Sequence, residues 1–276
     1  MDSVRLIEQW PVDNASTAVV AADGRVLGSH GDTSRVYPLA SVTKLLTAYT
    51  ALIAIEEGVV ELDTPAGPEG STIRHLLAHT SGLGFDAHKV MAEPGTRRLY
   101  SNAGFEQLTE ALEQHSDIPF RDYQAEALFG PLAMRDTVLE GSPAAGAKST
   151  VDDLTTFAAE LQRPTLIDPR TLAMATSVAF PGLSGVLPGF GHQKPNDWGL
   201  GFSIRDHKSP HWTGEHSSPG TFGHFGQSGT FLWVDPEAGA ACVVLTDRTF
   251  GPWAAETWPP FTDAVLAELR GQETPS

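Results

Sequence analysis

Ser41 and Lys44 stand three residues apart in the run PLASVTKLLTAYTALIAIEEG, at the head of an otherwise apolar helix. A serine hydroxyl is a poor nucleophile until a base lies within hydrogen-bond reach. Positions i and i+3 of a helix share one face, with Cβ atoms about 5–6 Å apart, so the Lys44 amine can meet the Ser41 oxygen. Leu39, Leu45 and Leu46 surround the lysine with an environment that disfavours its charged form and lowers its pKa. The helix start adds unpaired backbone N–H groups near Ser41, suited to a developing oxyanion. In isolation the pattern also has an ordinary reading, a capping serine followed by an exposed lysine. Two further runs weigh against that. In EPGTRRLYSNAGF, Tyr100 and Asn102 are two apart in a Gly/Pro-led loop; in extended chain such residues project to one side. In GTFGHFGQSGTFLWVD, His224 is followed by Gly226 and Gly229, glycines that permit close backbone approach within strands.

Elements must hold these groups together. STAVVAADGRVLGS gives two β-rich runs about Asp23-Gly24, a strong hairpin signal. The helix from Thr43 stops at Gly58. Helical patterns follow at residues 73–80, 103–116, 119–132, 150–162 and 168–177. Ser149 or Thr150 caps the fourth, with Asp152 and Asp153 in its first turn. From Trp198 the period shortens, and WGLGFSI, TFGHFG, TFLWVD and AACVVLTD read as strands, the last two joined by a turn at residues 235–239. PPFTDAVLAELRG reads as a closing amphipathic helix begun by its prolines. The expected fold class is α+β: one domain over residues 1–276, with an antiparallel sheet flanked by N- and C-terminal helices. An all-helical region, about residues 66–195, is inserted between the sheet-forming segments 1–65 and 196–276.

Composition narrows the function. Eighteen basic against 34 acidic residues leave a net charge of −16, a field that repels phosphate backbones, so no nucleic-acid partner is expected. The single cysteine, Cys242, lies in a strand-like run and reads as a small core hydrophobe. No run has the length of uninterrupted apolar sequence needed to span a bilayer, so no membrane partner is expected. The N-terminal residues hold no apolar export core or cleavage pattern. The expected location is cytoplasmic, or periplasmic or secreted for a chain trimmed of its signal.

In that order Ser41-Val-Thr-Lys44, Tyr100-Ser-Asn102 and His224-Phe-Gly226 resemble the three active-site motifs of the penicillin-recognising serine hydrolases. That group includes class C β-lactamases, D-alanyl-D-alanine carboxypeptidases and family VIII-type esterases. IRHLLAHTSGL, residues 73–83, is a further hallmark of the β-lactamase-related branch, and no catalytic group is apparent in it. The resemblance covers nearly the whole chain and implies a β-lactamase/transpeptidase-like fold and acyl transfer through an acyl-enzyme on Ser41. Lys44 and Tyr100 would share the serine's proton, Tyr100 then protonating the leaving group and activating water. Asn102 would orient a substrate amide, and the backbone N–H groups of Ser41 and Gln227 would form the oxyanion hole. A nearby Lys⁺ would lower the Tyr100 phenol towards neutrality. No cofactor or metal is implied. The partner expected is a small-molecule or peptide-like substrate: a β-lactam, a small ester or a D-amino-acid amide. The alternative is a silent relative that binds a ligand in the same cleft. Many β-lactamases have Lys-Thr-Gly or Lys-Ser-Gly where this chain has His224-Phe225-Gly226. The fixed cation and the hydroxyl that grip a carboxylate are therefore missing, and the motif favours neutral substrates. The glutamate that deacylates class A β-lactamases has no counterpart.

Other layouts are absent: no G-x-S-x-G, no H-E-x-x-H, no Walker A loop and no G-x-G-x-x-G. His207, His211 and His216 cluster near Asp206 and Glu215 in a proline-broken segment, which reads as a surface loop near the cleft. Trp198, Phe202, Trp212 and Phe222 are expected to fill core or line that cleft.

Overall fold

The first hairpin forms where the Asp23-Gly24 pair requires it, joining β1 (Ala15–Ala21) to β2 (Val26–His30) with Gly24 at φ 83°. This is a computed structural model that describes residues 1–272. Four more strands come from the C-terminal third: β3 (Ser203–Ile204), β4 (Phe222–Gly226), β5 (Thr230–Asp235) and β6 (Ala240–Thr246). The sheet runs β2-β1-β6-β5-β4-β3. It closes over the insert by pairing β1 antiparallel with β6, from Ala15 opposite Thr246 to Ala21 opposite Ala240.

β6 is buried along its whole length, and its two-residue period assigns the faces. Ala241, Val243 and Leu245 enter a core with α1 (Thr43–Glu56) and α3 (Val151–Glu160). Ala240, Cys242 and Val244 enter a second core against the C-terminal helix, through Trp258, Phe261 and Val265. Cys242 is thus the core hydrophobe its neighbours suggest. Every residue of α1 from Thr43 to Ala54 is buried, so Lys44 leaves solvent because its helix does.

The region expected to be all-helical, about residues 66–195, is not: its longest elements are the helices α2 (Asn102–Ser116) and α3, but loops connect them over much of its length. It also holds the antiparallel pairs of Ala147–Ser149 with Tyr37–Pro38 and Val138–Leu139, and the hairpin Gly185–Leu187/Gly191–Gln193. Thr150 caps α3 by accepting from the Asp153 N–H. Three local readings need correcting. The helix expected over residues 73–80 ends at Leu77, and His79 sits at φ 56°. The strand expected from Trp198 is reduced to Ser203–Ile204, because Gly201 turns at φ 90° where a Cβ would lie 2.2 Å from that of Ala48. The closing helix, α4 (Pro252–Gln272), starts seven residues before the expected proline and runs through Pro259 and Pro260. Interior prolines remove helix hydrogen bonds; burial of Trp253, Trp258 and Phe261 outweighs that local preference. No helix among the described residues is long and apolar enough to cross a membrane.

Candidate active site

The turn that carries Ser41 is held from several sides. Ser41 lies in a single 3-10 turn, Ala40–Val42, that leads directly into α1. Ala40 has φ 46°, a left-handed conformation costing an L-residue roughly 1–2 kcal/mol. Neighbouring contacts impose it. Leu39 donates its N–H to the Ala147 carbonyl at 2.9 Å and accepts from Thr230 Oγ1 at 2.9 Å. Ser228 Oγ donates to the Pro38 carbonyl at 2.8 Å. Gly226 completes the clamp: a Cβ there would lie 2.3 Å from the Leu39 carbonyl and 2.5 Å from Thr230 Oγ1. Its missing side chain lets the end of β4 press on the turn that carries Ser41.

Lys44 Nζ, fully buried, lies 3.3 Å from Ser41 Oγ, 2.6 Å from Asn102 Oδ1 and 2.9 Å from the Ala144 carbonyl. It also stands 4.7 Å from the centre of the Tyr100 ring. Burial lowers its pKa to about 7, against the opposing pull of Asp86 and Glu106. Asn102 is the first residue of α2, and the cap is Ser101, whose Oγ accepts from the Gly104 N–H. The Asn102 carboxamide is engaged at both ends: Oδ1 takes the lysine and Nδ2 donates to Asp86 Oδ1 at 2.8 Å.

Tyr100 reaches the site from the other side. His224 Nδ1 lies 2.6 Å from the Phe225 carbonyl, an obligate acceptor, so that nitrogen carries the hydrogen. Nε2 is then the acceptor for the Tyr100 hydroxyl, 3.2 Å away. His224 is 3% exposed, and burial with the nearby lysine pushes its pKa down to about 3. The phenol behaves opposite to expectation. Burial pushes Tyr100 well above 10, despite a Ser41 hydrogen bond acting the other way. The reason is reciprocal: the same withdrawal from water that raises the phenol brings the lysine down to about 7, so no persistent cation lies beneath the ring.

The hallmark HLLAHTSGL segment also gains a position. His79 Nδ1 accepts the Ser101 N–H at 3.1 Å. The ring packs 4.6 Å from Tyr100 and 5.2 Å from Phe105, centre to centre. Arg98, 1% exposed, donates to the carbonyls of Ala78, Ala179, Phe180 and Asn196. Arg98 anchors the chain two residues before the Tyr100-Ser101-Asn102 run, and His79 holds its first two residues. Sequence reading missed His79, Arg98, Asp86 and the Ala144 carbonyl; only the hallmark phrase pointed towards any of them.

A cavity of about 250 Å³ opens over Ser41, lined by Phe85, Tyr100, Trp198, Trp212, Phe225 and Gln227 among others. Phe202 and Phe222 pack edge to face in the core, 5.6 Å apart. The histidine loop is not a surface loop throughout. His211 is 6% exposed with Nδ1 on Thr213, Trp212 beside it lines the cavity, and exposed His207 and His216 pair with Asp206 and Asp263. Among the described residues those histidines go to separate partners.

A family model described as Beta-lactamase matches residues 14–267. A solved β-lactamase (Mb2281c) from Mycobacterium bovis is 57% identical with a TM-score of 0.95, over 97% of this chain and 99% of that one. EstCE1, a hydrolase with promiscuous acyltransferase activity, shares the fold at 20% identity and a TM-score of 0.77, covering 96% of each chain. The Escherichia coli (strain K12) D-alanyl-D-alanine-carboxypeptidase/endopeptidase AmpH is 30% identical over 175 residues, 46% of this chain and 46% of its own. The chain thus spans less than half the length of the curated relatives it matches.

Proposed function

The chain belongs to the beta-lactamase family, and we propose that it is a serine hydrolase forming an acyl-enzyme on Ser41. The observation that carries the reading is a buried lysine with a pKa of about 7 placed 3.3 Å from the serine oxygen. Near neutral pH a large fraction of Lys44 is uncharged and able to take the Ser41 proton as Oγ attacks a carbonyl carbon. The backbone N–H groups of Ser41 and Gln227 receive the oxyanion. As the tetrahedral intermediate collapses, the bond to the leaving group breaks and that group takes a proton from the Tyr100 hydroxyl, which Lys44 resupplies. Tyr100 works as a neutral shuttle, since burial keeps its proton on. Water then attacks the ester on Ser41 by the same route in reverse.

The surroundings support a neutral, apolar acyl group. Phe85, Trp198, Trp212 and Phe225 wall the cavity, and His224, with a pKa of about 3, carries no charge that would hold a carboxylate. A small ester or amide is the favoured substrate, ahead of the β-lactam or D-alanyl peptide in the names of its relatives. Intact mass after brief exposure to a short-chain aryl ester, and separately to a penicillin, tests this. The expected result is an acyl adduct in wild type that Ser41→Ala lacks, with ester turned over faster than penicillin. Labelling that persists in Ser41→Ala removes the nucleophile assignment. Rapid penicillin turnover with inert esters reverses the substrate order.

A further inference from the structure

Asp86 follows the HTSGL phrase by three residues and makes no contact with the serine, yet it occupies the far end of a chain of polar atoms. Its Oδ1 accepts from Asn102 Nδ2 at 2.8 Å; Asn102 Oδ1 accepts from Lys44 Nζ at 2.6 Å; Nζ stands 3.3 Å from Ser41 Oγ. A carboxylate can only accept. Facing Asp86, the carboxamide must present its NH₂ to it and its oxygen to the lysine. The consequence lies in how a neutral amine uses its four positions. Two N–H bonds point to acceptors that offer nothing in return, Asn102 Oδ1 and the Ala144 carbonyl. The lone pair is then left for the direction in which Ser41 Oγ stands. Were the carboxamide turned over, its NH₂ would face Lys44 and donate into that lone pair, and the amine would lose its capacity to take the serine proton.

We propose that Asp86 is a positioning residue that fixes the Asn102 carboxamide and so aims the Lys44 lone pair at Ser41. The role rests on the acyl-enzyme reading above and adds to it a residue outside the three motifs. Asp86 also acts by charge. The groups facing Lys44 are Asp86 and Glu106, which favour its protonated form, and Tyr100, His79 and His224, which burial holds uncharged near neutral pH. Glu106 accepts from Ser142 Oγ at 2.8 Å, so it stays in place when Asp86 is changed. Removing Asp86 alone lowers the lysine's proton affinity.

The test compares wild type, Asp86→Ala and Asp86→Glu by the rate of Ser41 acylation with an aryl ester across pH, and by the ¹³Cε shift of Lys44 during titration. Expected for Asp86→Ala is a loss of about 10- to 100-fold in acylation, the size of effect seen when the hydrogen-bond partner that orients a metal-ligating side chain is removed. Its acid limb and the Lys44 titration midpoint both move to lower pH, and Asp86→Glu restores part of the rate. Two effects of opposite sense thus come from one substitution: more neutral lysine, yet slower acylation. A wild-type rate in Asp86→Ala overturns the proposal. So does a slower rate with limb and midpoint unmoved, which describes a loosened loop. Should wild type form no adduct on Ser41, the hydrolase reading fails first, while the Lys44 midpoint still reports whether Asp86 acts on the lysine.

Discussion

The molecule buries two lysines, and only one faces a hydroxyl. Lys44 is 0% exposed and Lys208 is 3% exposed; burial lowers the first to about 7 and the second to about 8. Lys208 Nζ donates to the backbone carbonyls of Asp197, at 2.7 Å, and Ile204. It ties the end of β3 to the segment before Trp198, much as Arg98 ties four carbonyls together on the other side of the cavity. Lys44 shares one carbonyl contact of that kind, but its remaining partners are a carboxamide and Ser41 Oγ. A lowered pKa is therefore common to both and, without the geometry beside it, does not set Lys44 apart. What separates a base from a strut is whether one direction at nitrogen is left for an atom that can release a proton.

Removing each ammonium sharpens that contrast most. Lys44→Met is expected to cut Ser41 acylation by at least about 10³-fold, in the upper part of the range for a general base. The fold survives, because an apolar side chain of similar volume replaces a buried cation. Lys208→Met should leave acylation largely intact and lower stability in urea by roughly 1–3 kcal/mol, since buried carbonyls lose their donor. Equal loss of activity in both variants would erase the distinction. Next in size is Tyr100→Phe, which keeps the ring over Lys44 and removes only the proton shuttle. Turnover should fall about 10²-fold with little change in KM; near-wild-type turnover would leave Lys44 to protonate the leaving group directly. A smaller change is expected from His224→Lys, which places a cation where β4 lines the cavity. Relative kcat/KM should shift by about tenfold towards carboxylate-bearing esters over neutral ones, and an unmoved ratio means that this position does not meet substrate.

Legibility followed the distance over which each contact acts. Ser41 and Lys44 could be paired in the sequence because one helical turn joins them, and the runs that form β1 and β6 could be read as strands from their β-rich composition and turn residues, though their pairing across the insert could not. The helix read over residues 103–116 starts one residue earlier, at Asn102, with Ser101 as its cap. The partners of the site were hidden for a different reason. Ala144 contributes a carbonyl, which no residue type announces. Asp86 meets Asn102 across sixteen residues of irregular loop, where no periodicity relates them. Nothing in the neighbours of Lys208 and Arg98 says that backbone carbonyls will converge on them. The two prolines inside α4 broke a local rule that aromatic burial then overrode.

The lysines can also be told apart without substrate, through the pH dependence of stability. Both have folded-state pKa values below the unfolded 10.5, so in the intervening range the unfolded chain binds the extra proton. Stability from each is complete above 10.5 and is lost as pH falls through the folded value: down to about 7 for Lys44 and about 8 for Lys208. Between pH 7 and 8 the two differ. Linkage gives a gain of about 1 kcal/mol from Lys44 over that unit and roughly a third as much from Lys208. Lys44 also helps to lower His79 and His224, but burial is the larger cause for both, so they stay uncharged between pH 7 and 8 without it and drop out of the comparison. Urea midpoints at pH 7 and 8 should therefore rise less in Lys44→Met than in wild type, by an amount that Lys208→Met does not match. An identical rise in wild type and Lys44→Met would mean that Lys44 is still charged at pH 8, whereas a difference at the full limit of about 1.4 kcal/mol would mean that it is already fully neutral at pH 7. Either result places its proton affinity outside the range in which it can both take the serine proton and give it back.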